Sequence, residues 1–456
     1  MRLSPEEIAA AIGAEVVAEG DPGSPNRATI NSTQAGPRDL FFGLRGERRD
    51  GGEFAPAAIE AGAWGVVVSP EWRSSFVAQG DAKDERRGWV FVVEDPLAGM
   101  QTLARAWRRA LGARVLGVTG SVGKTSVKDI ARALLPGQVH ANRENLNTEI
   151  GLPLTILEAP EETETLVLEM AMRGRGQIAE LAAIAEPEVA VITNVGPVHV
   201  ELLGSVEAIA AAKAEILDDL PPDGTAVAPV EAGELEPHLE RAPKLLRFGP
   251  GGDVEAAEAK VAGGVTETLV STPLGDQRFH FPFAESHNLT NALAAIAAGV
   301  AFGADLEAMA DRAASIGFSR FRGERLQLPG GIVLVNDCYN ANPVSMRAAL
   351  DHLATLEAPR TVAVLGEMGE LGPGSPGYHR EVGEHAREAG VDLVIGVGLP
   401  ARDYDPDELV ADPAEAAELL AAQLEPGDAV LVKGSRSAGL EAVAEQLPEL
   451  VAAEDG

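Results

Sequence analysis

Short apolar runs alternate with amphipathic helical stretches along the chain, which is typical of an α/β protein. The first third predicts a small mixed α/β domain, because short β-rich runs are separated by a helical stretch. A longer helical pattern then leads into a strand of buried type, and we place the first domain boundary near Ala110. The runs are DLFFGLRG, GAWGVVVS, GWVFVVED and RVLGVTG for strands, and EFAPAAIEAGA and PLAGMQTLARAWRRALGA for helices.

The middle of the chain repeats the order of strand and helix that a largely parallel sheet requires. Residues 225–283 differ, since they are strand-rich and interrupted by Gly and Pro, and we expect an antiparallel extension or flap on the same domain. An alanine-rich helix and a second helix near Asp305 to Ile316 close this part. The runs are TLVLEMA and VAVITNVG for strands, and GQIAELAAIA, SVEAIAAAKAEILDDL and HNLTNALAAIAAGVAFG for helices.

A third strand-and-helix alternation begins near Leu326 and predicts a doubly wound, Rossmann-like domain. The label concerns topology only, and it gives no reason to expect NAD. The sequence therefore predicts three domains, at residues 1–110, 111–325 and 326–456. The strand runs of the third are IVLVND, TVAVLGEM, DLVIGVG and DAVLVKGS.

Composition and charge narrow the possible partners and compartment. The 456 residues carry 37 basic and 70 acidic side chains, a net charge of −33, which argues against a nucleic acid or an anionic membrane as main partner. The single cysteine, Cys338, excludes an internal disulfide framework and suits a reducing cytosol. The N-terminal residues predict an acidic amphipathic helix rather than a signal peptide, and no apolar run approaches membrane-spanning length. We expect a cytoplasmic monomer.

The most informative motif is VTGSVGKTS, at the junction of a predicted strand and helix. Glycines let successive backbone N–H groups turn toward phosphate oxygens, Lys124 can reach the β- and γ-phosphates, and Thr125 can bind Mg²⁺. The strict Walker spacing fails because Val118 stands where glycine is required, so an ordinary strand-turn-helix is the alternative. A phosphate loop is favoured, and it makes the middle domain a P-loop ATPase with a parallel sheet.

Two further candidates stand at the ends of the following strands. Glu169 ends TLVLE and His199 ends VITNVGPVH. Ligands of open parallel sheets bind at the carboxyl ends of strands, so both residues are candidate ligands of a nucleotide-bound metal. Lys213 lies in the apolar helix AIAAAKAEIL, where a lysine that reaches from a half-buried face to solvent is the ordinary interpretation.

Two asparagine-rich segments allow either a structural or a ligand-binding interpretation. Asn288 and Asn291 stand three residues apart at a predicted helix start, where capping would explain one asparagine better than two. The turn VNDCYNANPVSM places Asp337, Tyr339, Asn340 and Asn342 before a helix, as a cap or as a ligand loop. Cys338 lacks a basic neighbour in sequence and is interpreted as a buried small residue.

Nine segments taken together, in this order, resemble the Mur ligases of peptidoglycan synthesis. The N-terminal run NSTQAGPRDLFFGLRGERRDGGEF also resembles the UDP-sugar domain of this family, although Asn31 stands where Asp is usual and Gly52 where His is usual. The resemblance extends from about Asn31 to Arg436. The segments are VTGSVGKTS, ENLNTEIGLP, LEMAM, ITNVGPVHVE, AAAKAEI, HNLTNALAA, NDCYNANPVSM, LGEMGELG and VKGSRS.

The resemblance implies an ATP-dependent ligase that joins D-Ala-D-Ala to UDP-MurNAc-tripeptide through an acyl phosphate. It implies a UDP-sugar (muropeptide) domain, a central ATP domain and a C-terminal domain. It also implies two Mg²⁺ sites and a carbamylated Lys213, with Thr125, Glu169, His199 and the carbamate as metal ligands. Lys124, Glu169, His199 and Lys213 would be the catalytic residues.

The resemblance further implies the binding residues. Arg322 matches the arginine that reaches ATP when the sequences are aligned without a gap, and Arg325 is the alternative if the alignment has a local gap. The implied ATP-binding residues are Gly120, Ser121, Val122, Gly123, Lys124, Thr125, Ser126, Asn288, Asn291, Arg322 and Asp337. The implied substrate-binding residues are Asn31, Ser32, Thr33, Arg45, Asn145, Asn147, Thr148, Asn340, Lys433, Ser435 and Arg436.

Three alternatives remain open from the sequence. A sister ligase that adds a single amino acid and a folylpolyglutamate synthase share the nucleotide domain. The segments NDCYNANP and LGEMGELG resemble the dipeptide-adding enzyme instead, and folate ligases lack the N-terminal UDP-type domain. A protein of another class would use the loop only as an ATP-sensing switch. Such a switch would hydrolyse ATP without a carboxylate and an amine.

Overall fold

The structure is a computed structural model that describes residues 1–77, 88–143, 145–198 and 200–454. His199, a predicted metal ligand, lies outside the described residues. Over the described ranges, no helix is long and apolar enough to cross a membrane. The α/β fold class predicted from the sequence is confirmed, with separate sheets following one another along the chain.

The first sheet is built from the N-terminal residues in the order β1-β5-β4-β3-β2, with β1 antiparallel to β5 and the other pairs parallel. Asp95 caps the long helix that leaves this sheet by accepting a hydrogen bond from the Leu97 amide at 2.9 Å. The elements are α1 (Pro5–Ile12), β1 (Glu15–Ala18), β2 (Arg27–Thr29), β3 (Asp39–Phe42), α2 (Ala55–Glu60), β4 (Gly65–Val68), α3 (Ser74–Val77), β5 (Trp89–Val92) and α4 (Pro96–Leu111).

The second sheet is parallel throughout, in the order β11-β10-β9-β6-β8-β7. Its central strands β6, β8, β9 and β10 are short and nearly all their residues are buried, as expected for a sheet covered on both faces. The elements are β6 (Arg114–Thr119), α5 (Lys124–Leu134), β7 (Val139–Ala141), α6 (Gly151–Glu158), β8 (Thr165–Glu169), α7 (Gln177–Ala185), β9 (Val189–Ile192), α8 (Val200–Leu203), α9 (Val206–Lys213), β10 (Thr225–Pro229) and β11 (Lys244–Phe248).

The prediction for residues 225–283 is partly wrong. Its first two strands, β10 and β11, extend the parallel sheet, and only the later part forms an antiparallel sheet of its own. The helix that follows is rich in alanine, so its backbone can pack closely on α5 and on the sheet. These elements are β12 (Glu255–Ala262), β13 (Val265–Thr272), β14 (Gly275–Phe281), α10 (Ser286–Ala301) and α11 (Leu306–Arg312).

The last sheet has the order β15-β16-β20-β17-β18-β19, with β15 antiparallel and the remaining pairs parallel. It begins at Glu324, close to the predicted start of the third domain. The elements are β15 (Glu324–Gln327), β16 (Val333–Asn336), α12 (Pro343–Ala354), β17 (Thr361–Leu365), α13 (Ser375–Glu388), β18 (Leu393–Val397), β19 (Glu408–Val410), α14 (Pro413–Gln423), β20 (Ala429–Lys433) and α15 (Glu441–Glu454).

Candidate functional site

The loop between β6 and α5 has the backbone of a phosphate loop. Gly120 and Gly123 have φ angles of +146° and +84°, a region that glycine adopts without steric cost. A Cβ atom at Gly120 would lie 1.9 Å from Thr193 Oγ1, and one at Gly123 would lie 2.4 Å from Asn291 Oδ1. Both glycines are therefore required by the close packing of the loop as well as by its backbone angles.

The segment after β9 holds this loop in place through hydrogen bonds. Asn194 Oδ1 accepts a hydrogen bond from the Val122 amide at 2.9 Å, and Thr193 Oγ1 donates to the Val122 carbonyl. Ser121 Oγ accepts from the Gly196 amide at 2.9 Å. Thr193 and Asn194 were not predicted as site residues from the sequence, although they lie in the segment ITNVG. Their proximity to the loop follows from the parallel pairing of β6 with β9.

Lys124 is the first residue of α5, and its ammonium folds back over the loop. Nζ donates to the Gly120 carbonyl at 2.8 Å and to the Ser121 carbonyl at 3.4 Å. Burial lowers the pKa of Lys124, Glu169 opposes that change, and the charge of Arg322 adds to it. A phosphate that binds this loop would meet a cation held by loop carbonyls at the start of a helix, where anions are favoured. Ser126 lies in the same first turn.

Glu169 lies at the end of β8 and is buried between two groups from distant parts of the chain. Its Oε2 accepts from Thr125 Oγ1 at 2.8 Å, and its Oε1 accepts from Asn147 Nδ2 at 2.8 Å. Asn142, which the sequence analysis missed, accepts from the Glu169 amide at 2.6 Å. The structure thus brings together Thr125, Glu169 and Asn147. Their hydroxyl, carboxylate and amide oxygens are the donor types that Mg²⁺ prefers.

Lys213 is the last residue of α9, and its side chain is only 2% exposed. It does not reach solvent, so the ordinary interpretation of a surface-reaching lysine is wrong for this residue. Burial lowers its pKa well below the ordinary lysine value, and the charge of Lys124 adds to that effect. The Glu215 carboxylate accepts from the Gly176 and Ala179 amides at 2.8 and 3.2 Å, so it is engaged at the start of α7.

The asparagines of α10 do not cap this helix. The N-cap position belongs to Glu285, and Asn288 and Asn291 lie in the first two turns. Asn288 is buried, and its Oδ1 accepts from Asn291 Nδ2 at 3.4 Å. Because Asn291 contacts Gly123, the pair lies beside the phosphate loop. The capping alternative is therefore wrong here, whereas Asn342 does cap α12 in a capping box.

The two candidate arginines occupy different surroundings. The Arg322 guanidinium lies 4.1 Å from the centre of the Tyr339 ring, and its charge acts on Lys124. Arg325 instead lies 2.9 Å from His352 Nε2, measured from Nη2, beside the start of α10. Among the described residues, Arg322 Nε is a buried donor without a hydrogen-bond partner. This geometry favours Arg322 over Arg325 as the arginine available to the nucleotide.

Residues at the carboxyl ends of β16 and β20 form a second polar group. Lys433 is 2% exposed, pairs with Asp337 and donates to the Asn340 carbonyl at 3.1 Å. Ser435 Oγ accepts from the Gly369 amide at 2.8 Å, which ties the segment LGEMGELG to β20. Arg436 is exposed and lies 5.7 Å from the Tyr339 ring centre. Cys338 is buried, as predicted, and burial raises its thiol pKa to about 12.

The predicted muropeptide residues lie in exposed loops. Asn145 and Thr148 are exposed in the segment between β7 and α6. Asn31 follows β2 and closes a tight turn, since its Oδ1 accepts from the Thr33 amide at 3.0 Å, with Ser32 between them. The Arg45 side chain follows β3 and pairs with Asp50 and Glu71. Because β2 and β3 are parallel, these two loops share one edge of the first sheet.

Gly52 belongs to the same edge, and the structure shows why a side chain is absent there. A Cβ atom at Gly52 would lie 2.2 Å from the indole of Trp72, whose Nε1 donates to Asp50 at 3.1 Å. We expect Gly52→Ala to displace Trp72 and to destabilise the protein by about 1–3 kcal/mol. Chemical unfolding followed by tryptophan fluorescence measures this loss. If Gly52→Ala destabilises the Trp72→Ala protein as much as it destabilises the wild type, the proposed contact between position 52 and Trp72 is contradicted.

Comparison with known proteins agrees with this arrangement. Residues 118–299 match the Mur ligase middle domain, and residues 321–436 match the Mur ligase glutamate ligase domain. A relative from Synechocystis, named UDP-N-acetylmuramoyl-tripeptide--D-alanyl-D-alanine ligase, is 39% identical over 430 residues, with 90% of this chain and 89% of the relative covered.

Solved structures match over nearly the full length. MurF from Acinetobacter baumannii superposes with a TM-score of 0.88 at 28% identity and covers 98% of this chain and 99% of its own. The MurF ligase from Thermotoga maritima in complex with ADP gives a TM-score of 0.82 at 29% identity, covering 94% and 98%. The chain therefore belongs to the Mur ligase family, the ligases of peptidoglycan synthesis.

Proposed function

We propose that this ligase joins D-Ala-D-Ala to the terminal carboxylate of UDP-MurNAc-tripeptide at the expense of ATP. The observation that supports it most is the convergence of Lys124, the Thr125–Glu169–Asn147 cluster and Arg322 at one end of the central sheet. The ADP complex of the Thermotoga relative supports ATP as the nucleotide. Residues 1–110 would bind the UDP-sugar, 111–325 the ATP, and 326–456 the second substrate.

The chemistry proceeds in two transfers. An oxygen of the tripeptide carboxylate attacks the γ-phosphorus, the bond to the β-phosphate oxygen breaks, and ADP leaves. The amine of D-Ala-D-Ala then attacks the acyl carbon, and phosphate leaves as the amide forms with loss of a proton. Lys124 and Arg322 offset negative charge on the transferring phosphoryl group. Asn288 and Asn291 would orient the nucleotide beside Gly123, where the structure places them.

The residues present fit a bound Mg²⁺. Thr125 Oγ1 and the Glu169 carboxylate are 2.8 Å apart and buried next to the phosphate loop, and oxygen donors are what this ion selects. We assign Thr125, Glu169 and His199 as its ligands, with Lys213 as a carbamate at a second ion. When bound, Mg²⁺ would neutralise charge on the phosphates.

Carbamylation of Lys213 requires an unprotonated amine. Its nitrogen would add to CO₂ with loss of a proton, which converts a group that repels metal ions into an anionic oxygen donor. The burial of the side chain and its lowered pKa support this step, because both favour the neutral amine. Glu215 does not oppose it, since that carboxylate is bonded to backbone amides at the start of α7.

The amine substrate distinguishes this proposal from its alternatives. The Synechocystis relative carries the dipeptide-adding activity in its name, which supports D-Ala-D-Ala over a single amino acid or a folate substrate. We further propose a cytoplasmic monomer without a nucleic-acid partner, in keeping with the net charge of −33.

Mass detection of the product tests the function directly. With ATP, UDP-MurNAc-tripeptide and D-Ala-D-Ala, we expect the UDP-MurNAc-pentapeptide, and much less product with D-Ala, glutamate or diaminopimelate as amine. Phosphate release should require both the carboxylate and the amine. Faster release with tetrahydrofolate and glutamate would favour the folate alternative, and release without either substrate would favour an ATP-sensing switch.

A further inference from the structure

A buried cluster of charged groups joins the start of α10 to the last sheet. Glu285 immediately precedes α10 and is 6% exposed, and His352 near the end of α12 is 8% exposed. His352 Nε2 lies 3.2 Å from Glu285 Oε1, and Arg325 Nε on β15 lies 3.7 Å from the same oxygen. The Glu285 carboxylate stands at the start of the nucleotide helix, but its basic partners, His352 and Arg325, come from the C-terminal part of the chain.

The second oxygen of Glu285 faces the nucleotide asparagines. Oε2 accepts from Asn288 Nδ2 at 3.4 Å, and Asn288 Oδ1 accepts from Asn291 Nδ2 at 3.4 Å. Asn291 Oδ1 in turn occupies the space beside Gly123, 2.4 Å from where a Cβ atom would stand. A continuous series of polar contacts thus runs from His352 to the phosphate loop.

The position of Glu285 depends on its C-terminal partners. Burial alone would raise the pKa of Glu285, but the hydrogen bond and charge of His352, with Arg325, lower it to about 2. The carboxylate is therefore ionised at neutral pH. A buried charge that loses a partner is strongly destabilised. Without His352, Glu285 would keep the more distant Arg325 guanidinium at 3.7 Å and the Ala284 amide at 3.2 Å, and we expect its carboxylate to shift toward water. That movement would break its contact with Asn288.

We propose that Glu285 is a positioning residue that couples docking of the C-terminal sheet to the orientation of the nucleotide-binding asparagines. This inference rests on the proposed ATP site. With the C-terminal sheet docked, His352 and Arg325 hold the carboxylate, the carboxylate holds Asn288, and Asn288 holds Asn291 against the phosphate loop. Without docking, the asparagines lose this support and the nucleotide binds more weakly.

The test measures the affinity of the full chain for a non-hydrolysable ATP analogue by calorimetry, with no other substrate present. We expect Glu285→Gln and His352→Ala each to weaken binding by about tenfold. The double variant should bind no more weakly than the weaker single variant, because both changes interrupt the same series of contacts. The matched control is Glu381→Gln, which removes an ion pair with Arg347 that lies within the C-terminal part and should leave binding unchanged.

Other outcomes would overturn the proposal. If His352→Ala binds the analogue as well as the wild type while Glu285→Gln binds it weakly, Glu285 acts only within its own helix and not through the C-terminal sheet. If the affinity losses of the two single variants multiply in the double variant, the two residues contribute independently. If His352→Ala does not fold, Arg325→Gln on the half-exposed β15 provides the same comparison. The variant Asn291→Ala separates this inference from the proposed function. If Asn291→Ala binds the analogue with unchanged affinity, the ATP-site assignment is refuted. If Asn291→Ala binds weakly but Glu285→Gln binds with wild-type affinity, only the coupling is refuted.

Discussion

Lys124→Ala is expected to abolish ligation while the protein stays folded. In the proposed function the lysine would provide the cation next to the transferring phosphoryl group, and loss of such a contact raises the barrier by on the order of 3 kcal/mol, about a hundredfold in rate or more. Its contribution to folding is small, because the hydrogen bonds that Nζ donates go only to the backbone carbonyls of Gly120 and Ser121. Removing these hydrogen bonds costs about 1 kcal/mol. Phosphate release with all three substrates measures the effect.

The matched control is Lys260→Ala, which removes an exposed lysine from the antiparallel sheet. This variant should keep the turnover of the wild type, and all three proteins should melt within a few degrees of one another. Unchanged turnover in Lys124→Ala, at native melting temperature, would refute the assignment of residues 120–125 as the phosphate loop.

Lys213→Ala is likewise expected to abolish ligation, because it removes the amine that we propose to carry the carbamate. Lys213→Glu should recover part of the activity, since its carboxylate provides an anionic oxygen donor near the same place. Short carboxylic acids with bicarbonate should partly rescue Lys213→Ala by occupying the space that the lysine leaves. Steady-state rates of the three proteins, with and without added acid, measure these effects.

A second measurement observes the carbamate without activity. Wild-type protein equilibrated with ¹³C-bicarbonate should show a carbamate carbon signal by NMR, and Lys213→Ala should lack it. Lys244→Ala, which removes an exposed lysine on β11, is the control and should keep both signal and turnover. If Lys213→Ala keeps full activity, Lys213 has only a structural role. If the wild type shows no carbamate carbon signal, the proposed carbamate is refuted.

Features encoded by neighbouring residues could be predicted from the sequence. The phosphate loop was predicted because its glycines, Lys124 and Thr125 are contiguous, so their chemistry does not depend on distant packing. The alternation of apolar strands and helices likewise predicted the α/β fold, which the structure confirms. The binding roles of the individual site residues stay predictions.

Contacts between distant residues required the tertiary structure. Glu169 meets Thr125 and Asn147, which are 44 and 22 positions away, because β8 lies between β6 and β7 in the sheet. Strands β10 and β11 joined the parallel sheet, since strand direction is fixed by how the chain crosses over and not by local composition.

The same distinction explains Lys213 and Glu285. The local sequence AIAAAKAEIL gave Lys213 an apolar neighbourhood, but only the fold shows that its amine is buried and that Glu215 faces α7. Nothing near Glu285 in sequence indicates His352 or Arg325 as partners. By itself the sequence determined the apolar pattern and the contiguous phosphate loop, because these depend on neighbouring residues. The tertiary structure alone decided burial, charge pairing and strand direction, because these arise from packing between segments far apart in the chain.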